Sequence, residues 1–223
     1  MKLLTRTRAV VVLLLVMTPI ASATVINDVW APTTSDPREV NLYGIYNSLY
    51  GTAYSDSNAI PQVSPDEVFA LLASAASVEA TARYAALGQQ FGYYQPTSGG
   101  PITYTQLFDV QDPNSGYPLS GFTTTISPTG NFGFYDLAGG VYWHSQAALN
   151  PNGEDHLVTL ATADPNVFLL AWEDLPLALA DGDFNDLVVE VTLQVIPEPT
   201  TMALLGMGLA CVVVRQIRAR KLM

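Results

Sequence analysis

Basic residues are nearly absent from the body of this 223-residue chain. Its nine Lys and Arg are Lys2, Arg6, Arg8, Arg38, Arg83, Arg215, Arg218, Arg220 and Lys221. Seven of them sit in the terminal segments, so only Arg38 and Arg83 lie between Thr24 and Glu198. All twenty Asp and Glu fall in that interval, and two positive against twenty negative charges give it a formal charge of −18. Such a surface repels nucleic acid and anionic lipid and favours cations. Cysteine is equally scarce. The single one, Cys211, lies near the C-terminus, which leaves the body of the chain without a disulfide although an exported protein could form one. Histidine occurs twice, at His144 and His156, with no H-x-x-x-H spacing for zinc. No serine sits in a G-x-S-x-G context, so no nucleophile elbow is present. Internal repeats are also missing.

The basic residues that exist mark the two ends. Lys2, Arg6 and Arg8 precede the unbroken apolar run Ala9 to Val16, and Ala21-Ser-Ala23 provides a small-residue cleavage site before Thr24. This reads as a secretory signal peptide over 1–23, since the apolar run is far shorter than the ~20 residues a membrane span needs. At the other end, Pro197-Glu198-Pro199 is followed by the apolar stretch Thr200 to Val214 and then by Arg215, Arg218, Arg220 and Lys221. Positive residues after an apolar helix stay on the cytoplasmic side. The stretch is short for a span, with Ile196 and snorkelling of Arg215 extending its reach. The tail, residues 196–223, resembles the PEP-CTERM sorting signal. The resemblance implies a C-terminal transmembrane helix and an exosortase-like partner that recognises the Pro-Glu-Pro motif and removes the anchor.

Between these ends, residues 24–195 form one domain of ample length for a core. Its densest chemistry runs from Trp172 to Val195. Glu173, Asp174, Asp181, Asp183, Asn185 and Asp186 place six oxygen-bearing side chains within fourteen residues, with no Lys, Arg or His among them. Carboxylates brought together need compensation, and Ca²⁺ takes six to eight oxygen ligands. Asp181, Asp183 and Asn185 alternate, so an extended or looped backbone turns them toward one point, with Gly182 relaxing the chain between the first two. An EF-hand is excluded, because Asp186 stands where its Gly belongs and Thr192 where its Glu belongs. The competing reading is turn chemistry, which Asp, Asn and Gly also serve. The run W-E-D-L followed by D-G-D-F-N-D-L-V-V, with Leu149 to His156 upstream, resembles the DUF4114 domain. That resemblance implies a surface-exposed, Ca²⁺-associated, non-catalytic β-rich module.

The coarse structure follows from periodicity and turn chemistry. Leu42 to Tyr50 reads as a short helix with Tyr43, Tyr46 and Tyr50 on one face. Ser64-Pro-Asp-Glu67 has the form of a capping box, and Val68, Leu71, Leu72, Ala75 and Val78 follow at helical spacing, predicting a second helix to about Ala86 and ending at Gly88. From Phe91 onward the sequence predicts strands at 91–94, 102–109, 121–126, 132–136, 141–145, 156–162, 167–172 and 187–195. They are parted by turns such as Asp112 to Gly116 and Ala163 to Asn166. The last strand alternates Val189, Val191 and Leu193 against Val188, Glu190 and Thr192, predicting one buried and one solvated face. The fold class is therefore mainly β, a β-sandwich or jelly-roll-like domain with one or two N-terminal helices.

Functionally, these observations predict an exported, exosortase-sorted protein of the cell envelope or extracellular matrix, non-catalytic and Ca²⁺-stabilised, with a structural or adhesive role. An alternative is a carbohydrate-binding module for secreted polysaccharide, supported by eleven Tyr and three Trp. Its ligand rim would be formed by Trp143, His144 and His156, with Tyr142 beside them. The remaining alternative is a glycoside hydrolase using Glu173 and Asp183 as its acidic pair.

Overall fold

Every described strand pairing is antiparallel, and the strands divide between two sheets stacked face to face. The computed structural model describes residues 23–28, 39–64, 66, 68–70, 75–85, 87–95, 101–110 and 116–194. The signal-peptide and C-terminal-helix expectations, with Pro197, Glu198 and Pro199, lie outside these residues. Among the described residues no helix is long and apolar enough to cross a membrane. The strands are β1 (Phe69–Ala70), β2 (Ala75–Arg83), β3 (Gln89–Gln95), β4 (Thr103–Val110), β5 (Thr123–Ile126), β6 (Asn131–Ala138), β7 (Val141–His144), β8 (Leu157–Ala161), β9 (Val167–Trp172) and β10 (Leu187–Gln194). One sheet runs β5-β2-β10-β9-β8; the other runs β1-β6-β3-β4, with β7 also paired to β6. The eight strands expected from Phe91 onward are all present, with ends shifted by a residue or two.

The second expected helix is absent among the described residues of 64–88. Residues 69–70 and 75–83 are strands instead, and β2 pairs with β10 along its whole length. The reason lies in composition. Ala75-Ala-Ser-Val-Glu-Ala-Thr-Ala places small residues at both helical and alternating spacing, and in the strand reading Ala76, Val78 and Ala80 turn to the core. Pairing with β5 and β10 on both sides overrides the helix propensity of alanine. Asp66, expected near a helix N-terminus, instead accepts the Thr159 N–H of edge strand β8 at 3.0 Å.

Two apolar clusters result. The first fills the space between the sheets with Phe91, Phe108, Phe132, Phe134, Trp143, Trp172, Leu187 and Val189. The second lies on the outer face of the β8–β9–β10 region, where Ile26, Leu42, Ile45 and Tyr46 pack on Val158, Leu160, Leu169, Ala171, Phe184 and Val188. Helix α1 (Leu42–Tyr50) supplies much of that cover, ending at Gly51, whose φ of 65° makes the left-handed cap. Tyr46 donates to the Ala161 carbonyl at 2.6 Å, and Tyr50 donates to Glu190 at 2.7 Å. The face of β10 expected to be solvated is therefore covered by α1, and Val188 is fully buried. Burial on both faces makes β9 and β10 the centre of a three-layer stack; the loop joining them is buried at its two ends, at Glu173 and Asp174 and at Asp183 to Asn185, and largely exposed between.

A β-bulge in β2 sets up the interior at one end. Val188 pairs with Ala82 and Val189 with Ala80, so Thr81 is the extra residue. The bulge reverses the alternation. Ala76, Val78 and Ala80 face the inter-sheet core, Ala82 joins the outer cluster, and Arg83 turns back between the sheets, fully buried.

Candidate functional site

The loop from Glu173 to Asp186 carries the six predicted oxygen side chains, and the structure divides them into two groups. Its backbone is fixed first. Gly182, at φ 78°, accepts the Asn27 N–H through its carbonyl at 2.8 Å, and the Asn27 side-chain amide donates to the Asp181 carbonyl at 3.0 Å. A Cβ on Gly182 would sit 2.7 Å from that amide nitrogen, so glycine is required both for the turn and for the close approach. Phe184 is held at φ 55° with its ring buried in the outer cluster, and its N–H donates to Glu173 Oε1 at 2.9 Å.

The first group gathers on the side of the N-terminal segment. Carboxylate oxygens of Glu39, Asp181 and Asp183 all lie within 4.8 Å of one another. Asn185 braces them as a donor: its backbone N–H reaches Asp183 Oδ1 at 3.1 Å, and its side-chain amide reaches Asp183 Oδ2 at 2.6 Å and Glu39 Oε1 at 3.3 Å. Asp183 is buried, which together with the charge of Asp181 pushes its carboxyl up to about 8. Glu173 is fully buried, and its Oε2 has no hydrogen-bond partner. Burial, followed by the charges of Asp181 and Asp174, pushes it up to about 7. An oxygen-only donor set that includes the buried carboxyl of Asp183, with the orphaned Oε2 of buried Glu173 nearby, fits a hard divalent cation.

The second group centres on Asp174, which turns into the sandwich. Asp186 Oδ2 accepts the Asp174 N–H at 2.9 Å, and both carboxyls are raised by burial and by neighbouring negative charge. Facing Asp174 between the sheets are Arg83 and Asp136, with Gln89 bridging them, all fully buried. Arg83 Nε donates to Gln89 Oε1 at 3.0 Å, and Gln89 donates onward to Asp136 Oδ2 at 3.1 Å. A second guanidinium nitrogen of Arg83 donates to the Leu87 carbonyl. Burial, then the Asp174 charge, raises Asp136 well above the carboxylate range.

The predicted ligand rim lies elsewhere than expected. Trp143 and His156 are inside, stacked on each other with centroids 3.9 Å apart, so neither lines a surface. Trp143 Nε1 donates to the Asp174 carbonyl at 2.8 Å, and His156 Nδ1 lies 3.1 Å from the Glu173 carbonyl, so this pair props up the start of the acidic loop. Large flat rings at alternating positions are core material once the opposite sheet covers them. His144 is also largely buried, with Nε2 2.8 Å from the Tyr104 hydroxyl. The residues that sequence reasoning missed are Glu39 and Asn27. Glu39 lies 142 positions before Asp181 and Asn27 lies 154 before it, and no local pattern announces either.

Residues 120–194 match the model of a domain of unknown function, DUF4114. The segment contains the whole acidic loop and strands β5 to β10. Residues 195–221 match the PEP-CTERM protein-sorting motif, which implies export and a C-terminal membrane-anchoring sorting signal. The DUF4114 segment does not close either sheet alone, because β2 lies between β5 and β10, and β3 lies beside β6. Comparison with curated proteins gives no match. Among solved structures, the chain is similar to the C-terminal domain of the BC2L-C lectin from Burkholderia cenocepacia, at 17% identity and TM-score 0.38, over 61% of this chain and 100% of that one. It is also similar to the Chromobacterium violaceum lectin CV2L, solved in complex with α-methyl-fucoside, at 20% identity and TM-score 0.35, over 60% of this chain and 100% of that one.

Proposed function

We propose that this is an exported, exosortase-sorted protein of the cell envelope or extracellular matrix, and that its β-sandwich is a non-catalytic structural or adhesive module stabilised by Ca²⁺. The observation that carries the cation is the convergence of Glu39, Asp181 and Asp183 within 4.8 Å, with Asp183 and the neighbouring Glu173 buried. Glu173 would complete the set, Asn185 would orient it as a donor, and Asp174 and Asp186 belong to the interior group. Bound there, the ion joins the segment before α1 to the β9–β10 loop, so it ties together the outer and middle layers. A hydrolytic role for Glu173 and Asp183 is disfavoured because the two are 0% and 3% exposed, leaving no room for a sugar between them.

Thermal unfolding of the exported protein in EGTA and in millimolar Ca²⁺ tests this reading. Affinity is expected at roughly 10⁻⁴–10⁻³ M, as for extracellular calcium modules. Calcium at about 100 times Kd should add about 2.7 kcal/mol, several degrees in Tm for a domain of this size. Asp183→Ala and Glu39→Ala should each abolish the increment. Glu39 is the sharper probe, since only the folded arrangement brings it to the loop. An unchanged Tm up to about 10 mM Ca²⁺, well above that range, sinks the proposal. For the tail, replacing Pro197, Glu198 and Pro199 together by alanine should leave the chain in the membrane fraction; release equal to wild type would count against exosortase handling.

A further inference from the structure

The outer faces of the two sheets differ in kind. One is covered by α1, while the other carries an organised aromatic surface. Cross-strand pairing sets Gln106, Gly92, Tyr135 and His144 in one row across β4, β3, β6 and β7. Two glycines make the surface flat: a Cβ on Gly92 would lie 2.7 Å from the Tyr135 hydroxyl, and one on Gly133 would lie 2.3 Å from Tyr94 Cζ. Tyr135 and Tyr94 therefore lie across the sheet as buried rings, the cover that strand glycines commonly receive. That structural role does not account for what sits above them. Tyr104 from edge strand β4 and Tyr142 from edge strand β7 lean inward over Tyr135, from which their ring centroids lie 5.3 and 5.2 Å. The two rings meet 4.4 Å apart at 32° and remain 36% and 37% exposed. His144 holds the Tyr104 hydroxyl from below and is itself held by Asn150 on its Nδ1 side.

We infer that the Tyr104–Tyr142 shelf binds pyranose rings of a neutral polysaccharide. A pyranose offers an apolar C–H face to an aromatic ring, and hydroxyls at its rim to phenols and amides such as the exposed Gln106. The shelf itself carries no carboxylate. The nearest one along β4 is Asp109, five residues or about 17 Å from Tyr104. The −18 charge of residues 24–198 opposes an acidic polymer, which selects the neutral class. The site is fixed by Gly92, Gly133 and Asn150 before any ligand arrives, so binding costs little ordering. This inference goes beyond the cation reading and stands or falls without it, because the shelf lies on the sheet that does not carry the acidic loop.

The test is a titration of the exported protein with three neutral hexasaccharides (cellohexaose, maltohexaose and chitohexaose), followed by calorimetry and by the ring NMR signals of Tyr104 and Tyr142. At least one should bind with Kd of about 1 mM and shift both sets of ring signals. Tyr142→Ala should weaken it at least about tenfold, Tyr142→Phe should retain it, and an oligogalacturonate hexamer should bind more weakly than the neutral probe. The ring signals report on wild-type protein, so they decide the matter even where a variant folds poorly. Absence of binding by all three at about 10 mM, binding that leaves both tyrosines unshifted, or an equal response to the acidic hexamer would each overturn the inference. The calcium response of the same protein is read separately, so failure here is distinguishable from failure of the cation site.

Discussion

Replacing Arg83 with leucine should destabilise the protein by about 3–5 kcal/mol in urea unfolding, although no ligand, surface or turn is touched. Arg83 is the one Lys or Arg among the described residues, and it is fully buried at the end of β2. Around it lie Gln89, Asp136 and Asp174, with Asp186 bonded to Asp174 behind them. Its charge lowers the cost of ionising both Asp136 and Asp174, opposing their burial. Taking it away leaves buried carboxyls that must stay protonated or ionise without a cation, together with a Gln89 whose Oε1 has lost its donor. Removing one member of such a group is far worse than removing the group. Arg83→Leu combined with Asp136→Leu should therefore regain a good part of the loss. An Arg83→Leu protein within about 1 kcal/mol of wild type would show that the interior cluster is hydrated or otherwise compensated, and would remove this account of it.

Arg83 also marks how far the sequence can be read. Its isolation in an acidic chain is plain from composition alone, yet its direction depends on the Thr81 bulge, which appears only once β2 is registered against β10. The strands from Phe91 onward were legible because Gly, Pro, Asn and Asp punctuate them at short intervals. The 64–88 stretch reads as helix because its alanines satisfy helical and alternating patterns equally, and what decides for strand is pairing with strands far along the chain. The candidate site shows the same boundary. Asp181, Asp183 and Asn185 are adjacent in sequence and meet in space. Glu39 meets them only because Asn27 is bonded to the Asp181–Gly182 backbone and α1 packs on β10. Six neighbouring acidic and amide residues read as one site, yet Asp174 turns toward Arg83 and Asp136 with Asp186 bonded to its N–H, while Asp183 meets Glu39 and Asp181.

That division gives the protein a stability that falls with rising pH when cations are absent. Glu173 and Asp183 have ordinary values of 4.5 and 3.8 and are pushed to about 7 and about 8 in the fold, chiefly by burial. Between about pH 4 and pH 8 the folded protein thus holds protons that the unfolded chain has released. Stability then decreases with pH, being fully present below the unfolded values and lost as pH passes through the folded ones. For Glu173 alone the loss is on the order of 3 kcal/mol; the two groups face the same Asp181 charge, so their losses do not simply add. Asp66 and Asp186, raised to about 6 and about 10 chiefly by burial, tilt stability the same way, while His144 and His156, lowered by burial, tilt it the other way. In EGTA the share of Glu173 and Asp183 is therefore the fall in Tm from pH 5 to pH 8 that Glu173→Gln with Asp183→Asn removes. A bound divalent cation takes the place of those protons, so the calcium-dependent rise in Tm should be small at pH 5 and grow toward pH 8. Calcium binding near pH 7 should also release protons, seen as a dependence of calorimetric heat on the ionisation enthalpy of the buffer. A Glu173→Gln, Asp183→Asn protein whose Tm in EGTA changes from pH 5 to pH 8 just as the wild type's does would mean that Glu173 and Asp183 ionise freely in the fold. The argument that burial calls for a cation at this loop would then fail, even if calcium bound there.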